Sequence, residues 1–291
     1  MTHLAGALFG PFLEFAFMRR ALVASLALAI GCGPVGTLLI LRRMSLMGDA
    51  LSHAVLPGAA IGYLVAGLSL YAMSIGGAIA GLAVALLSGV VSRATTLRED
   101  ASFAGFYLTS LALGVLIVST YGSSIDLLTV LFGSILAVDD ASLILVASIE
   151  TASLLVLALI YRPLVMECFD PAFVRSVGGR GGAVHTVFLA LVVVNLVAGF
   201  QALGTLMSVG LMMLPAAAAR FWAREVWTLS LLSTAIAFAS SYVGLLLSYH
   251  ANLPSGPAII LTASVCYIAS LLAGRRDSVR TRHLVRSHIH A

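Results

Sequence analysis

The sequence predicts an all-α, polytopic transmembrane bundle of eight or nine spans with re-entrant or interfacial half-helices. Two observations predict it. Hydrophobic residues make up 60% of the chain and charged residues only 10%, against about 45–50% and about 25% in a soluble domain. The apolar residues also fall in runs of roughly the 20 residues a spanning helix needs, bounded by Arg, Gly, Pro or acids.

In order, the runs are 20–41, 49–66, 72–92, 101–121, 141–161, 183–200, 203–219, 228–248 and 257–273. The second and seventh are short for a full crossing. The first follows Arg19-Arg20 and passes Cys32, as a signal peptide does, but it stays apolar to Arg42-Arg43 and reads as a span. Residues 1–18, rich in Phe, form a candidate interfacial segment. Residues 19–274 form the membrane domain, and residues 275–291 an Arg- and His-rich tail. Segment 122–140 contains LLTVLFGSILAV, too apolar for an open loop and too short to cross twice, which suggests a re-entrant half-helix.

Every one of the sixteen basic residues is Arg, and fourteen follow the odd-numbered spans. Positive loops stay cytoplasmic, so the C-terminus is expected inside. Arg19-Arg20 are the exception. The basic residues form no stripe of the kind that binds nucleic acid. Cys32, Cys168 and Cys266 are far apart and read as inert thiols. No GxxxxGK[ST] loop, HExxH or GxSxG motif occurs, so neither ATP hydrolysis by a P-loop nor those hydrolytic chemistries belong to this chain.

Polar residues within the apolar runs carry the chemistry. Asp49 and His53 are four apart and share one helix face. A carboxylate and an imidazole so placed suit a borderline divalent cation such as Zn²⁺ or Mn²⁺. Equally, they suit a packing role, hydrogen-bonded to each other or to Ser45 and Ser52. Pro57-Gly58 interrupts the same run, and broken helices border transport sites, which favours the pathway. Glu150, in the fifth run, is a further candidate metal-pathway residue. Asn195 and Gln201 read as interhelical hydrogen bonders, His185 as interfacial, and Met207, Met212 and Met213 as packing. His283, His288 and His290 read as part of a solvated tail. In FDPAFVRSVGG, Asp170 is a good N-cap, Pro171 a good first helical residue and Gly178 a good stop. The short helix they bound should display Phe173, Val174 and Val177 to a cytoplasmic partner or to the headgroups.

RRMSLMGDALSHAVLPGAAIGYL resembles the hallmark stretch in permeases of the zinc/manganese/iron class of ABC importers, and LFGSILAV, FDPAFVRSVG and LGTLMSVGLMMLPAAAAR extend the resemblance along the chain. It implies a homodimer of permeases in the bacterial cytoplasmic (inner) membrane. Each copy would dock a cytoplasmic ATP-binding subunit, and a separate extracytoplasmic metal-binding protein would feed the pair. The chain itself would be no enzyme and hold no resident cofactor. Asp49 and His53 match the motif's acid and histidine. The segment holding Asp170, Pro171, Phe173, Val174 and Gly178 matches the helix that enters the ATPase, although the family usually has Ala where Val174 stands. Zinc is the favoured cargo, with manganese or iron as alternatives. The rivals are a permease for metal chelates and a proton-coupled secondary transporter. An intramembrane metalloenzyme lacks enough ligands.

Overall fold

The computed structural model describes residues 2–67, 69–97, 99–121, 138–176, 178–179, 181–276 and 278–280. Its helices are α1 (Thr2–Glu14), α2 (Ala16–Leu41), α3 (Ser45–Ala54), α4 (Leu56–Ala66), α5 (Leu70–Ala94), α6 (Glu99–Tyr121), α7 (Asp140–Phe169), α8 (Pro171–Ser176), α9 (Gly181–Leu203), α10 (Thr205–Ala219), α11 (Val226–Ala251) and α12 (Ser255–Ala273). No strand occurs among the described residues. The expected half-helix within 122–140 and the tail histidines lie outside the described residues, apart from the turn at 138–140.

Among the described residues, eight segments are long and apolar enough to cross a membrane, α3 and α4 counting together as Ser45–Ala66. The seventh predicted span is α10, whose 15 residues rise only about 22 Å. It is nonetheless buried, with Met207, Leu211 and Met212 packed against α2, α11 and α12. These Met residues are core, as the sequence suggests. Gly204, at φ +86°, makes the one-residue turn from α9 into α10.

α2 is the central helix, buried from Leu28 to Leu39 except at Ile30 and Pro34, with α7, α10 and α11 around it. Between membrane helices there is little hydrophobic driving force, so close packing of small residues holds them together. A Cβ on Gly36 would overlap the Met212 carbonyl, and a Cβ on Gly58 would overlap the Gly76 carbonyl. α6, α7 and α12 instead present Leu113, Leu116, Leu155, Leu159, Leu261 and Val265 outward, as lipid-facing helices do.

At the far end of α2, Arg20 forms an ion pair with Asp140 at 2.8 Å. One exceptional Arg of the sequence pattern therefore has an acidic partner at the start of α7. Next to it, Asp139 caps α7 by accepting from the Ser142 N–H at 2.9 Å. Its bonding to Ser142 holds the Asp139 carboxyl below its usual range. α1 docks on α11: Phe12 stacks on Tyr242 with centroids 5.1 Å apart, and the Tyr242 hydroxyl donates to the Leu8 carbonyl.

Candidate metal pathway and docking helix

α3 carries the acid and the imidazole. It starts only three residues after α2 ends, and the turn between them closes through Met44 N–H to the Leu39 carbonyl at 2.9 Å. Arg43 takes the left-handed conformation there, at φ +60°. Gly48 lets α3 approach α10, since a Cβ would meet the Met213 methyl at 2.7 Å. That contact turns Gly48 inward and leaves its neighbour Asp49 on the open face.

The helix breaks at Val55, between α3 and α4. Pro57 has no N–H to return to the His53 carbonyl. One residue on, the Ala54 carbonyl accepts from the buried Ser110 hydroxyl of α6 at 2.8 Å. The break expected at Pro57-Gly58 is therefore real, and a side chain from another helix satisfies it. Replacing Ser110 by Ala should leave that carbonyl unpaired at about 1 kcal/mol, read as a lower melting temperature with assembly intact. Beyond the break lies a groove of about 460 Å³ lined by Pro57, Ile61, Ile79, Phe106 and Leu113. Its walls carry no carboxylate, imidazole or thiol, and their only side-chain oxygens are the hydroxyls of Thr109 and Ser110.

Asp49 is exposed and His53 half-buried. With Leu46, 83% exposed, they form an i, i+3, i+7 stripe on α3. The packing alternative needs their side chains to bond one another or the nearby serines. Among the described residues they do not: Ser52 donates to the Asp49 backbone carbonyl, at 2.6 Å, and not to its carboxylate. Both groups are left with their full ligand capacity on an outward face.

Glu150 is placed differently. It is 2% exposed, between Gly31 of α2 and Asn195 of α9. Asn195 donates to Ser153 Oγ at 3.0 Å and to the Leu191 carbonyl at 2.7 Å, the interhelical role the sequence suggests. Both Glu150 oxygens and Asn195 Oδ1 lack a hydrogen-bond partner, and Glu150 Oε2 and Asn195 Oδ1 both border the space a Gly31 Cβ would fill. Among the described residues no three His, Cys, Asp or Glu side chains group together, so Glu150 does not join Asp49 and His53. Glu150→Gln supplies an N–H donor for Asn195 Oδ1 and should retain both stability and transport. Glu150→Ala leaves a cavity and an orphaned amide, and should cost about 1–3 kcal/mol. Thermal unfolding and uptake of the two variants check this.

The candidate docking helix is built as its sequence indicates. Asp170 Oδ1 accepts from the Phe173 N–H at 2.9 Å, Pro171 opens α8, and Gly178 leaves it at φ +70°. Phe173 is 52% exposed. Val174 corrects the expectation that it would be displayed: it is 7% exposed, folded against Gly179 and Gly181. Adjacent residues of a helix do not share a face, so with Phe173 outward Val174 turns toward Gly179 and Gly181. Val177 lies outside the described residues.

The C-terminal end of α2 holds what sequence reading missed. Arg42 lies against Glu167 and Cys168 of α7 and His185 and Phe188 of α9. His185 is a bonded member of this cluster rather than merely interfacial. Cys168 accepts from Arg42 Nε at 3.3 Å. Only the apolar residues around the Arg hinted at burial.

Comparison with known proteins fits this architecture. The profile of the ABC 3 transport family matches residues 14–274. The manganese import system permease protein ScaB of Streptococcus parasanguinis is 34% identical, over 94% of this chain and 96% of its own. The manganese transport system membrane protein MntC of Halalkalibacterium halodurans is 33% identical, over 94% and 93%. A chain in the solved structure of PsaBC from Streptococcus pneumoniae in complex with Fab superposes with a TM-score of 0.82 at 30% identity, covering 95% of this chain and 97% of that one. The chain belongs to the ABC 3 transport family, as a multi-pass membrane component of a transporter rather than an enzyme.

Proposed function

We propose that this chain is the permease subunit of an ATP-driven importer of a divalent transition-metal cation, and that Asp49 and His53 line the cation's route. The observation that carries the reading is their position, on one outward stripe of a broken helix with no bonding partner of their own. A charged Asp facing lipid costs about 2.5–3.5 kcal/mol at the centre of a span, and Asp49, fifth residue of Ser45–Ala66, bears a smaller cost of the same kind. A second copy of the chain, closing the α3 faces around a wet pathway, removes that cost and doubles the ligands to two carboxylates and two imidazoles. The pair is held incompletely by either copy, so the cation can leave as readily as it enters.

The expectation from sequence put zinc first. ScaB and MntC carry manganese in their names, and a carboxylate and an imidazole serve Mn²⁺ as well as Zn²⁺, so manganese now comes ahead of zinc. The cytoplasmic ATPase docks on α8 through Phe173, with Asp170, Pro171 and Gly178 setting the helix and Val174 seating it. An extracytoplasmic metal-binding protein delivers the cargo at the opposite face. The Arg distribution supports a bacterial cytoplasmic membrane location with the C-terminus inside.

The test is radiometal accumulation in cells lacking their own high-affinity importers, with the ATPase and binding protein co-expressed. Mn²⁺ uptake should survive an uncoupler and stop on ATP depletion. Zn²⁺ uptake in place of Mn²⁺ would reverse the cargo assignment. Uptake that stops with the uncoupler and survives ATP depletion would replace this reading with proton coupling.

A further inference from the structure

We propose that Arg42 is the positioning residue through which movement of the docking helix α8 reaches the pathway helix α3. The inference rests on the reading of α8 as the ATPase contact and of α3 as the cation's route.

The geometry begins with burial. The Arg42 side chain is 7% exposed and the Glu167 side chain 13%. Arg42 Nη2 lies 3.4 Å from Glu167 Oε2, an ion pair longer than a hydrogen bond. Nε donates to Cys168 Sγ at 3.3 Å. Nη1 donates to His185 Nδ1, which places the neutral ring's proton on Nε2. The guanidinium lies 5.2 Å from the centre of the Phe188 ring, within cation–π range. One planar cation thus engages two residues of α7 and two of α9.

Those two helices are the ones that flank α8. Glu167 and Cys168 stand three and two residues before Asp170, and α9 starts at Gly181. Val174 of α8 and Glu167 both press on Gly181, with Val174 Cγ1 and Glu167 Cδ each 3.3 Å from the place of its Cβ. From the exposed Phe173, the contact path therefore runs through Val174 and Gly181 to Glu167 and then to Arg42. On the other side, Arg42 follows α2 directly as its C-cap, and only Arg43 and Met44 separate it from α3. That link is stiff. It is closed by two hydrogen bonds, Arg43 N–H to Ile40 and Met44 N–H to Leu39, which hold Arg43 in the left-handed conformation. A displacement of α8 cannot move α7 and α9 at this end without moving Arg42. Asp49 is seven residues further on.

A Lys cannot do the same. Its single ammonium has no planar fork to span four partners.

The test uses the complete importer, with its ATPase and binding protein, in proteoliposomes. The reading is cation taken up per ATP hydrolysed, alongside the amount of ATPase that copurifies. Arg42→Gln is expected to keep the ATPase bound and hydrolysing, while uptake per ATP falls about tenfold, in the usual range for coupling between sites. Arg42→Lys should fall between. Arg42→Glu paired with Glu167→Arg should exceed either single change. Unchanged uptake per ATP in Arg42→Gln overturns the proposal. So does a parallel loss of assembly, hydrolysis and uptake, which would mark Arg42 as structural only.

A second reading does not depend on the cargo. Spin labels at Leu46→Cys and Ser176→Cys, in a chain with Cys32 and Cys266 replaced by Ala and Cys168 by Ser, whose hydroxyl can still accept from Arg42 Nε, report the α3–α8 distance with and without trapped nucleotide. The nucleotide-dependent change should be present with Arg42 and absent with Arg42→Gln; the same change in both overturns the proposal. If no metal is taken up by the unaltered chain, the importer reading fails, and this distance still decides the role of Arg42.

Discussion

Asp49→Ala and His53→Ala should each reduce Mn²⁺ accumulation to that of cells lacking the chain, while both variants reach the membrane and bind the ATPase normally. Two features of the site set the size of this effect. Each side chain faces outward and supports no hydrogen bond or ion pair within the described chain, so its removal breaks no internal network. In a two-fold assembly, one substitution also deletes two ligands at once. Asp49→Asn separates charge from shape: an amide keeps one oxygen donor and loses the negative charge, so uptake should stay low. Membrane level, ATPase copurification and radiometal uptake are read on the same preparations. Normal transport by both Ala variants would make the pair packing groups and favour a chelate permease, whose cargo needs no ligand from the protein.

The second large effect is at Gly58. Substitution by Val should prevent the normal membrane bundle from assembling. The added Cβ would overlap the backbone carbonyl of Gly76, and from the other side a Cβ on Gly76 would overlap the carbonyl of Gly58. Neither atom is a flexible chain end, so α4 and α5 must separate along their contact. Separation also shifts the break at Val55 that presents His53. Expression, detergent stability and uptake should all fall together, in contrast to Asp49→Ala, where only uptake falls. Gly105 provides the control. Nothing stands within 4 Å of where its Cβ would be, so Gly105→Ala should fold and transport normally.

What the sequence revealed follows the range of the interactions. Local chemistry was readable. Pro57 announces the break in the second span, because a missing N–H acts within one turn. Asp170 and Gly178 announce the ends of α8 for the same reason. The i, i+4 spacing of Asp49 and His53 places them on one face without any knowledge of the neighbours. Long-range contacts were not readable. Arg42 meets His185 across 143 residues and Cys168 across 126, and Ser110 reaches Ala54 across 56. No periodicity marks which Ser in an apolar helix will cap a broken neighbour. Phe173 and Val174, as neighbours on a helix, point to different faces, and the packing of Val174 against Gly179 and Gly181 decided which of them turned inward. At the start of α2, the exception to the Arg pattern, Arg20 is neutralised by Asp140, a pairing that charge counting does not see.

The most direct measurement is pulsed electron paramagnetic resonance of Mn²⁺ in the assembled importer, held with its ATPase closed on nucleotide. Nitrogen coupling from imidazole should be present in the unaltered chain, vanish in His53→Ala, and persist in a control in which His250, at the end of α11, is replaced by Ala. Bound Mn²⁺ whose nitrogen coupling is unaffected by His53→Ala would contradict the account, because the cation would then be held somewhere other than the α3 face.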